Sequence, residues 1–434
     1  MEFIKKITQT NLFKITSLNS VSVLIKIGIG LVTSKLLAVF VGPSGMALVG
    51  NLRNFSTSLE SISTLGFQNG IVKYVAESKE DKHQLQKTIS TIFISLLVIA
   101  MLLSSILYFF AAFWNQQIFG TNYEYEIVIR AMALALPWFA IAVFLLAVIN
   151  GLGKFKEVIW INIVGNIIGL LVSIGMILQY KTLGALLSIV ITPALLFFVT
   201  YYFISKEFHF SKFIQYKSYD LHVIKNLSSY SLMALVSSVL GPLVFLAIRK
   251  NVIVVLGIQE AGFWETMSRI STYYMMFVST ILTVYFLPKL AVAKDNIETK
   301  KVFWSFYKNI LPLFAIGLVL IYFSRTLLIK LLFASEFLPV TDLFLWQLFG
   351  DVLKVAAMIL GYQFYAKKMT LAFIISEMAS LAVLYFSSIY LIAICGIQGI
   401  VMAQALDNFI YFLVLAIYFR KVYFEFLVPI FRID

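Results

Sequence analysis

Four basic residues stand deep in apolar stretches of the chain: Lys26, Arg53, Arg269 and Lys354. A charge at the centre of a bilayer costs roughly 2.5–3.5 kcal/mol, so four of them cost on the order of 10 kcal/mol unless water or counter-charges meet them. The acids in the same kind of stretch are Glu60, Asp351, Glu377 and Asp407. Glu60 follows Arg53 by seven residues, two turns along one helix face. Asp351 and Lys354 are three apart, a spacing that lets them pair directly. Such a pair is either a self-neutralising structural bridge or part of a hydrated site. If the deep residues share a cavity, its sign is positive, and a positive cavity selects an anion. Phosphate suits it, because every contact is a charge-assisted hydrogen bond. Asp351, Glu60 and Glu377 are carboxylates with two accessible charge states, which makes them candidates for exchanging a proton or sodium ion. A purely structural salt bridge is the competing reading of each.

The elements that position these residues follow from composition. Of 434 residues 61% are hydrophobic and only 13% are charged, too much apolar surface for a soluble chain of this size to hide. Apolar stretches of about 20 residues recur along the whole chain, each able to cross a hydrocarbon core of roughly 30 Å. The expected fold is an all-α integral membrane protein. Its twelve spans are placed at about 13–40, 46–76, 88–113, 127–150, 158–179, 184–205, 226–249, 261–291, 303–326, 341–365, 371–393 and 399–419. Trp114, Trp160, Trp264, Trp304 and Trp346 fall near proposed ends, as interfacial belts require. Pro137, Pro193, Pro242 and Pro312 fall inside spans, where each removes a backbone donor and predicts a kink. Lys35, Lys73, Arg130, Lys289 and Lys308 lie close enough to helix ends to snorkel.

Orientation follows from lysine and arginine. With a cytoplasmic N-terminus, 20 basic residues fall on the inner side, and only Lys181, Arg249, Lys250, Arg325 and Lys330 on the outer. The basic side is the cytoplasmic one, so both termini are expected inside. The net charge of +13 is then a topology signal and needs no nucleic-acid partner. The longest polar connection, SKEFHFSKFIQYKSYDLHVIKN, divides the chain into an N-terminal six-helix lobe (1–205), a linker (206–225), a C-terminal six-helix lobe (226–419) and a cytoplasmic tail (420–434). Sliding one half on the other by 216 residues aligns Arg53 with Arg269, Ser63 with Ser279, Thr64 with Thr280 and Lys73 with Lys289. Internal repeats of this kind build many transporters.

Several functions lack the residues they need. His83, His209 and His222 all lie in expected loops, so neither a histidine relay nor a metal site is expected at mid-membrane. The single cysteine, Cys395, excludes a disulfide within the chain. NGLGKFKE lacks the GxxxxGK[ST] spacing of a phosphate-binding loop, which argues against ATP-driven transport within this chain. A membrane-embedded glycan polymerase would need catalytic residues on sizeable outer loops. No loop exceeds roughly 20 residues, so no catalytic residue or cofactor is assigned and an enzyme is the runner-up from another class.

Four segments carry a family resemblance. LIKIGIGLVTSKLLAVFVGPSGMALVGNLRNF (24–55) with GFQNGIVKYVAE (66–77) resembles the opening of the Wzx flippases, above all the enterobacterial common antigen (lipid III) type. MALVSSVLGPLVFLAIRK (233–250) and WQLFGDVLKVAAMILGYQFYAK (346–367) resemble that family's seventh and tenth helices. The resemblance implies the multidrug/oligosaccharidyl-lipid/polysaccharide exporter superfamily, with two six-helix lobes around a central cavity. It also implies movement of an undecaprenyl-pyrophosphate-linked oligosaccharide, of O-antigen or common-antigen kind, across a bacterial inner membrane before polymerisation or ligation. Polymerase and ligase machinery and membrane lipids are the implied partners. Lys26, Arg53, Arg249, Lys250, Asp351 and Lys354 match the family pattern, whereas Glu60 and Arg269 depart from it. The expected substrate contacts are therefore Lys26, Arg53 and Lys354, with Arg249 or Arg269 nearer the outer mouth. A cation-coupled drug exporter on the same scaffold is the closest rival; its substrates favour an acidic cavity, and the deep residues here lean basic.

Overall fold

The computed structural model describes residues 11–121, 123–206, 214–215 and 219–420. The N-terminal ten residues, most of the expected linker with His209, and the tail beyond Arg420 lie outside the described residues. Contacts divide the chain into two compact units, Met1–Leu246 and Ala247–Asp434.

The first unit holds α1 (Asn11–Phe40), α2 (Gly42–Ser63), α3 (Gln68–Glu77), α4 (Lys82–Phe109), α5 (Ala111–Phe119), α6 (Glu126–Gly151), α7 (Phe155–Ser205) and α8 (Leu221–Leu235). Helix α9 (Gly241–Val255) leads into the second unit, which continues with α10 (Ile258–Ile281), α11 (Leu287–Val292), α12 (Asn296–Leu332), α13 (Phe344–Ala366), α14 (Thr370–Cys395) and α15 (Ile397–Tyr418). Among the described residues, ten helical stretches are long and apolar enough to cross a membrane. That number differs from the expected twelve in two places. The 51-residue α7 folds back on itself at Lys181 (φ 49°, ψ −121°). Gly165 then meets Leu196, Gly169 meets Thr192 and Gly184 meets Met176, the antiparallel contacts of a hairpin. Its arms match the expected spans 158–179 and 184–205. The expected single helix 46–76 is instead two, α2 and α3, broken where Leu65 and Gly66 take positive φ of 52° and 62°. A β-carbon on Gly66 would also lie 3.0 Å from the Ser231 carbonyl oxygen, so the break is where α8 approaches.

Proline accounts for two further irregularities. One π-helical turn, Val236–Leu240, comes directly before Gly241–Pro242, and another, Leu282–Phe286, directly before Leu287–Pro288. Each proline lacks the N–H that the carbonyl four residues earlier would accept, and a wider turn absorbs the mismatch. In the first unit α2 covers this weak point: Ser58 Oγ donates to the Val239 carbonyl at 3.0 Å, and the Ser61 and Ser238 hydroxyls bond each other. The division of the two units at Leu246 falls within α9. Pro137, Pro193 and Pro312 lie within α6, α7 and α12.

The core of the first unit is built by Phe67, Ile71, Ile89, Ile92, Phe144 and Val148 on α3, α4 and α6 and the residue that opens α3. In the second, Phe286 packs edge-on against Phe306 with ring centroids 5.2 Å apart. The outer surface of α12 is the reverse of a soluble helix: Leu313, Ile316, Leu320, Phe323, Leu327 and Leu331 recur every three or four residues and are 59–77% exposed. Such a stripe suits hydrocarbon, with every backbone group bonded inside the helix. Trp160, Trp304 and Trp346 are exposed, as belt residues are, but Trp264 is fully buried. It serves a charged cluster described below.

Candidate functional site

Helix α1 presents two faces. Val21, Leu24 and Val32, with Gly28, form an exposed stripe at intervals of three or four residues. Lys26 is exposed on the opposite side, along a stripe that also holds Asn19, Ser22 and Thr33. It makes no ion pair among the described residues. A lysine on a polar stripe, away from the apolar one, is placed for water or an anion. Arg53 is half-buried in the middle of α2, and its carbonyl accepts from Thr57 Oγ1 at 2.9 Å. Glu60 lines a narrow cleft with Ser56, Met132, Phe139 and Pro193. Arg53 and Glu60 lie two helical turns apart on α2, about 10 Å along its axis.

The second unit treats its arginines differently. Arg249 on α9 and Arg269 on α10 are 1% and 4% exposed, and both are bound to one carboxylate, Glu265, itself 4% exposed. Arg249 Nη2 donates to Glu265 Oε2 at 2.8 Å and Arg269 Nε to Oε1 at 3.0 Å. The Arg249 guanidinium also lies 4.9 Å from the ring centre of Trp264. In this structure both arginines are turned into this buried cluster. The reason is Glu265, missing from the acids first singled out although it lies inside the expected span 261–291. Its spacing of four from Arg269 was the available signal.

Asp351 and Lys354 do not pair. The Asp351 carboxylate is 1% exposed and turned toward α10, where Ser271 Oγ donates to it at 2.7 Å and Tyr274 Oη at 2.5 Å. Gln347 Nε2 adds contacts of 3.2 Å to both oxygens from its own helix. Three neutral donors thus stand where a cation was expected. Lys354 is exposed on a different side of α13, where its charge acts on Glu377 of α14 and Asp407 of α15. Asp407 accepts from Ser380 Oγ at 2.8 Å, tying α15 to α14. Close packing brings α13 and α15 together: a β-carbon on Gly350 would lie 2.9 Å from the Ala405 α-carbon, and Asn408 Nδ2 donates to the Gly350 carbonyl at 3.1 Å. Asp407 was noted as a span acid but not as a site residue. Only the tertiary arrangement brings it and Glu377 within electrostatic reach of Lys354.

Long apolar helices, charges held in mid-span and no strand among the described residues define a polytopic transporter-like protein. Solved structures agree on the fold. A multidrug resistance MATE family transporter of the MOP superfamily in its inward-facing conformation has a TM-score of 0.74 at 12% identity, covering 92% of this chain and 98% of that one. The lipid II flippase MurJ, inward closed, has a TM-score of 0.70 at 17% identity, covering 95% and 91%. Residues 12–292 match the family described as polysaccharide biosynthesis protein. The lipid III flippase of Escherichia coli (strain K12) is 31% identical over 410 residues, 93% of this chain and 96% of that protein, and the lipid III flippase of Shigella flexneri matches equally. The chain belongs to the polysaccharide biosynthesis protein family, with Wzx-type flippases as its relatives.

Proposed function

We propose that this protein is a flippase that moves an undecaprenyl-pyrophosphate-linked oligosaccharide from the cytoplasmic to the periplasmic leaflet of a bacterial inner membrane. The observation that carries the reading is the 31% identity to a lipid III flippase along 93% of the chain. Its chemical counterpart is the set of basic side chains in mid-helix, of which Lys26 and Lys354 are exposed and Arg53 half-buried. Lys26, Arg53 and Lys354 contact the pyrophosphate or acidic sugars, and Arg249 and Arg269 take part nearer the outer mouth. The two lobes alternate access while the polyprenyl tail stays in the bilayer. Both termini are cytoplasmic, and polymerase or ligase machinery consumes the product.

Purified protein in proteoliposomes, given a labelled polyprenyl-pyrophosphate sugar, is expected to move it between leaflets without lengthening it. Lengthening would assign the protein to the polymerases instead. Ion coupling is placed on Asp351, Glu60 and Glu377, with a proton or sodium ion exchanged. It is tested by flipping with and without an imposed gradient, and gradient-independent flipping removes it.

A further inference from the structure

The Arg249–Glu265–Arg269 cluster holds two positive charges and one negative, and its residues are 1%, 4% and 4% exposed. Glu265 does not satisfy the arginines completely. Arg249 Nε and Nη1 and Arg269 Nη2 have no hydrogen-bond partner among the described residues. Buried guanidinium donors seldom stay unmatched, because each forgoes its water without a replacement. The unmet donors call for more acceptor oxygens and more negative charge than one carboxylate brings. A pyrophosphate diester has twice as many terminal oxygens as a carboxylate and one more negative charge. Its geometry also suits the planar fork of arginine.

We propose that Glu265 is an internal stand-in for the anionic headgroup of the substrate. It holds Arg249 and Arg269 while the site is empty, releases them to the headgroup, and takes them back when the substrate leaves. The proposal rests on the flippase reading above and adds a reason for release. Two arginines with no competing anion would hold a pyrophosphate too tightly to let it go. With Glu265 present, one ion pair is exchanged for another, so the arginines do not pass through a buried, unpaired state. Glu265 is thus a positioning residue whose effect on affinity is opposite in sign to that of a simple structural bridge.

Binding of undecaprenyl pyrophosphate in detergent and its flipping in proteoliposomes, measured for wild type, Glu265→Gln, Glu265→Asp and Arg249→Lys, test this. Glu265→Gln is expected to bind about tenfold tighter, a change of about 1.4 kcal/mol, while flipping falls by a similar factor. Glu265→Asp keeps the charge on a side chain one methylene shorter, and is expected to bind with an affinity between those of wild type and Glu265→Gln. Arg249→Lys keeps the charge but loses the fork, and binds more weakly. If Arg249→Lys binds like wild type, Arg249 is not a headgroup ligand, and the site reading and the exchange fail together. If Arg249→Lys binds weakly while Glu265→Gln binds no tighter than wild type, the site reading stands and the exchange falls. Should Glu265→Gln not fold, Trp264 decides, since the Arg249 guanidinium lies 4.9 Å from its ring. Adding undecaprenyl pyrophosphate is expected to change an emission component that Trp264→Phe lacks, and no change at saturation overturns the exchange.

Discussion

Residues 53–77 and 269–293 are related by a shift of 216, and they share backbone landmarks but not the placement of their acids. In each, an arginine is followed by a Ser-Thr pair, an irregular turn, a lysine and a helix end. The turn is the left-handed break at Leu65–Gly66 in one and the π turn Leu282–Phe286 in the other. Beyond it the next long helix is capped by an aspartate in both cases, Asp81 before α4 and Asp295 before α12. The charges do not repeat. Arg269 has Glu265 one turn earlier, where the equivalent position before Arg53 is the buried Val49. Glu60, in turn, corresponds to Met276. The backbone landmarks were kept and the acid changed sides, so one arginine is neutralised in the core and the other stays half-buried.

The largest expected effect breaks this comparison at the arginines. Removing Arg269 deletes one of the two charge-assisted hydrogen bonds that Glu265 accepts, at about 1.5–3 kcal/mol, and leaves the Arg249–Glu265 pair in place. Arg269→Gln is therefore expected to lower the unfolding midpoint, and Arg53→Gln, at a half-buried position, to lower it less. Flipping per unit of folded protein does not follow that ranking: Arg53→Gln and Lys26→Gln are expected to abolish export without reducing insertion. Thermal unfolding in detergent beside a proteoliposome assay reads both quantities. Equal loss of stability in Arg53→Gln and Arg269→Gln would dissolve the distinction, and unchanged export in both Arg53→Gln and Lys26→Gln would remove these two residues from the proposed substrate contacts.

A second contrast lies within α13, between Asp351 and Lys354. A hydrogen bond to a charged group contributes about 1.5–3 kcal/mol. Tyr274→Phe and Ser271→Ala should each destabilise the second unit by that order, and Lys354→Gln should leave its stability nearly unchanged while reducing flipping. Loss of stability in Lys354→Gln equal to that in Tyr274→Phe would mean that the lysine is structural.

The same helix shows what the sequence makes legible. Apolar length placed the spans, and glycine or proline placed most breaks, because these are local properties of the chain. The spacing of Asp351 and Lys354 predicted a pair, but residues three apart on a helix still point about 60° from one another. Which way the acid turns is settled by neighbours distant in sequence, Ser271 and Tyr274, and the lysine faces away from them. No periodicity carries that information. Glu265 is the converse case: its partner at four residues was visible, but its capture of Arg249 from another helix was not.

The smallest effect tests how far the repeat extends. The Asp81 side chain accepts from the N–H groups of His83 at 2.9 Å and Gln84 at 3.1 Å, and Asp295 from that of Glu298 at 2.7 Å. Glu298 in turn accepts from the Lys294 N–H at 2.8 Å, a reciprocal arrangement that α4 does not share. Losing an N-cap costs typically about 1 kcal/mol. Asp81→Ala should therefore cost about that much, through two donors left without their acceptor. Asp295→Ala should cost less, because Glu298 still holds the chain entering α12. Glu298→Ala made on top of Asp295→Ala should restore the difference. If Asp295→Ala alone matches Asp81→Ala, the reciprocal bond adds nothing and the two caps are equivalent in energy as well as in position.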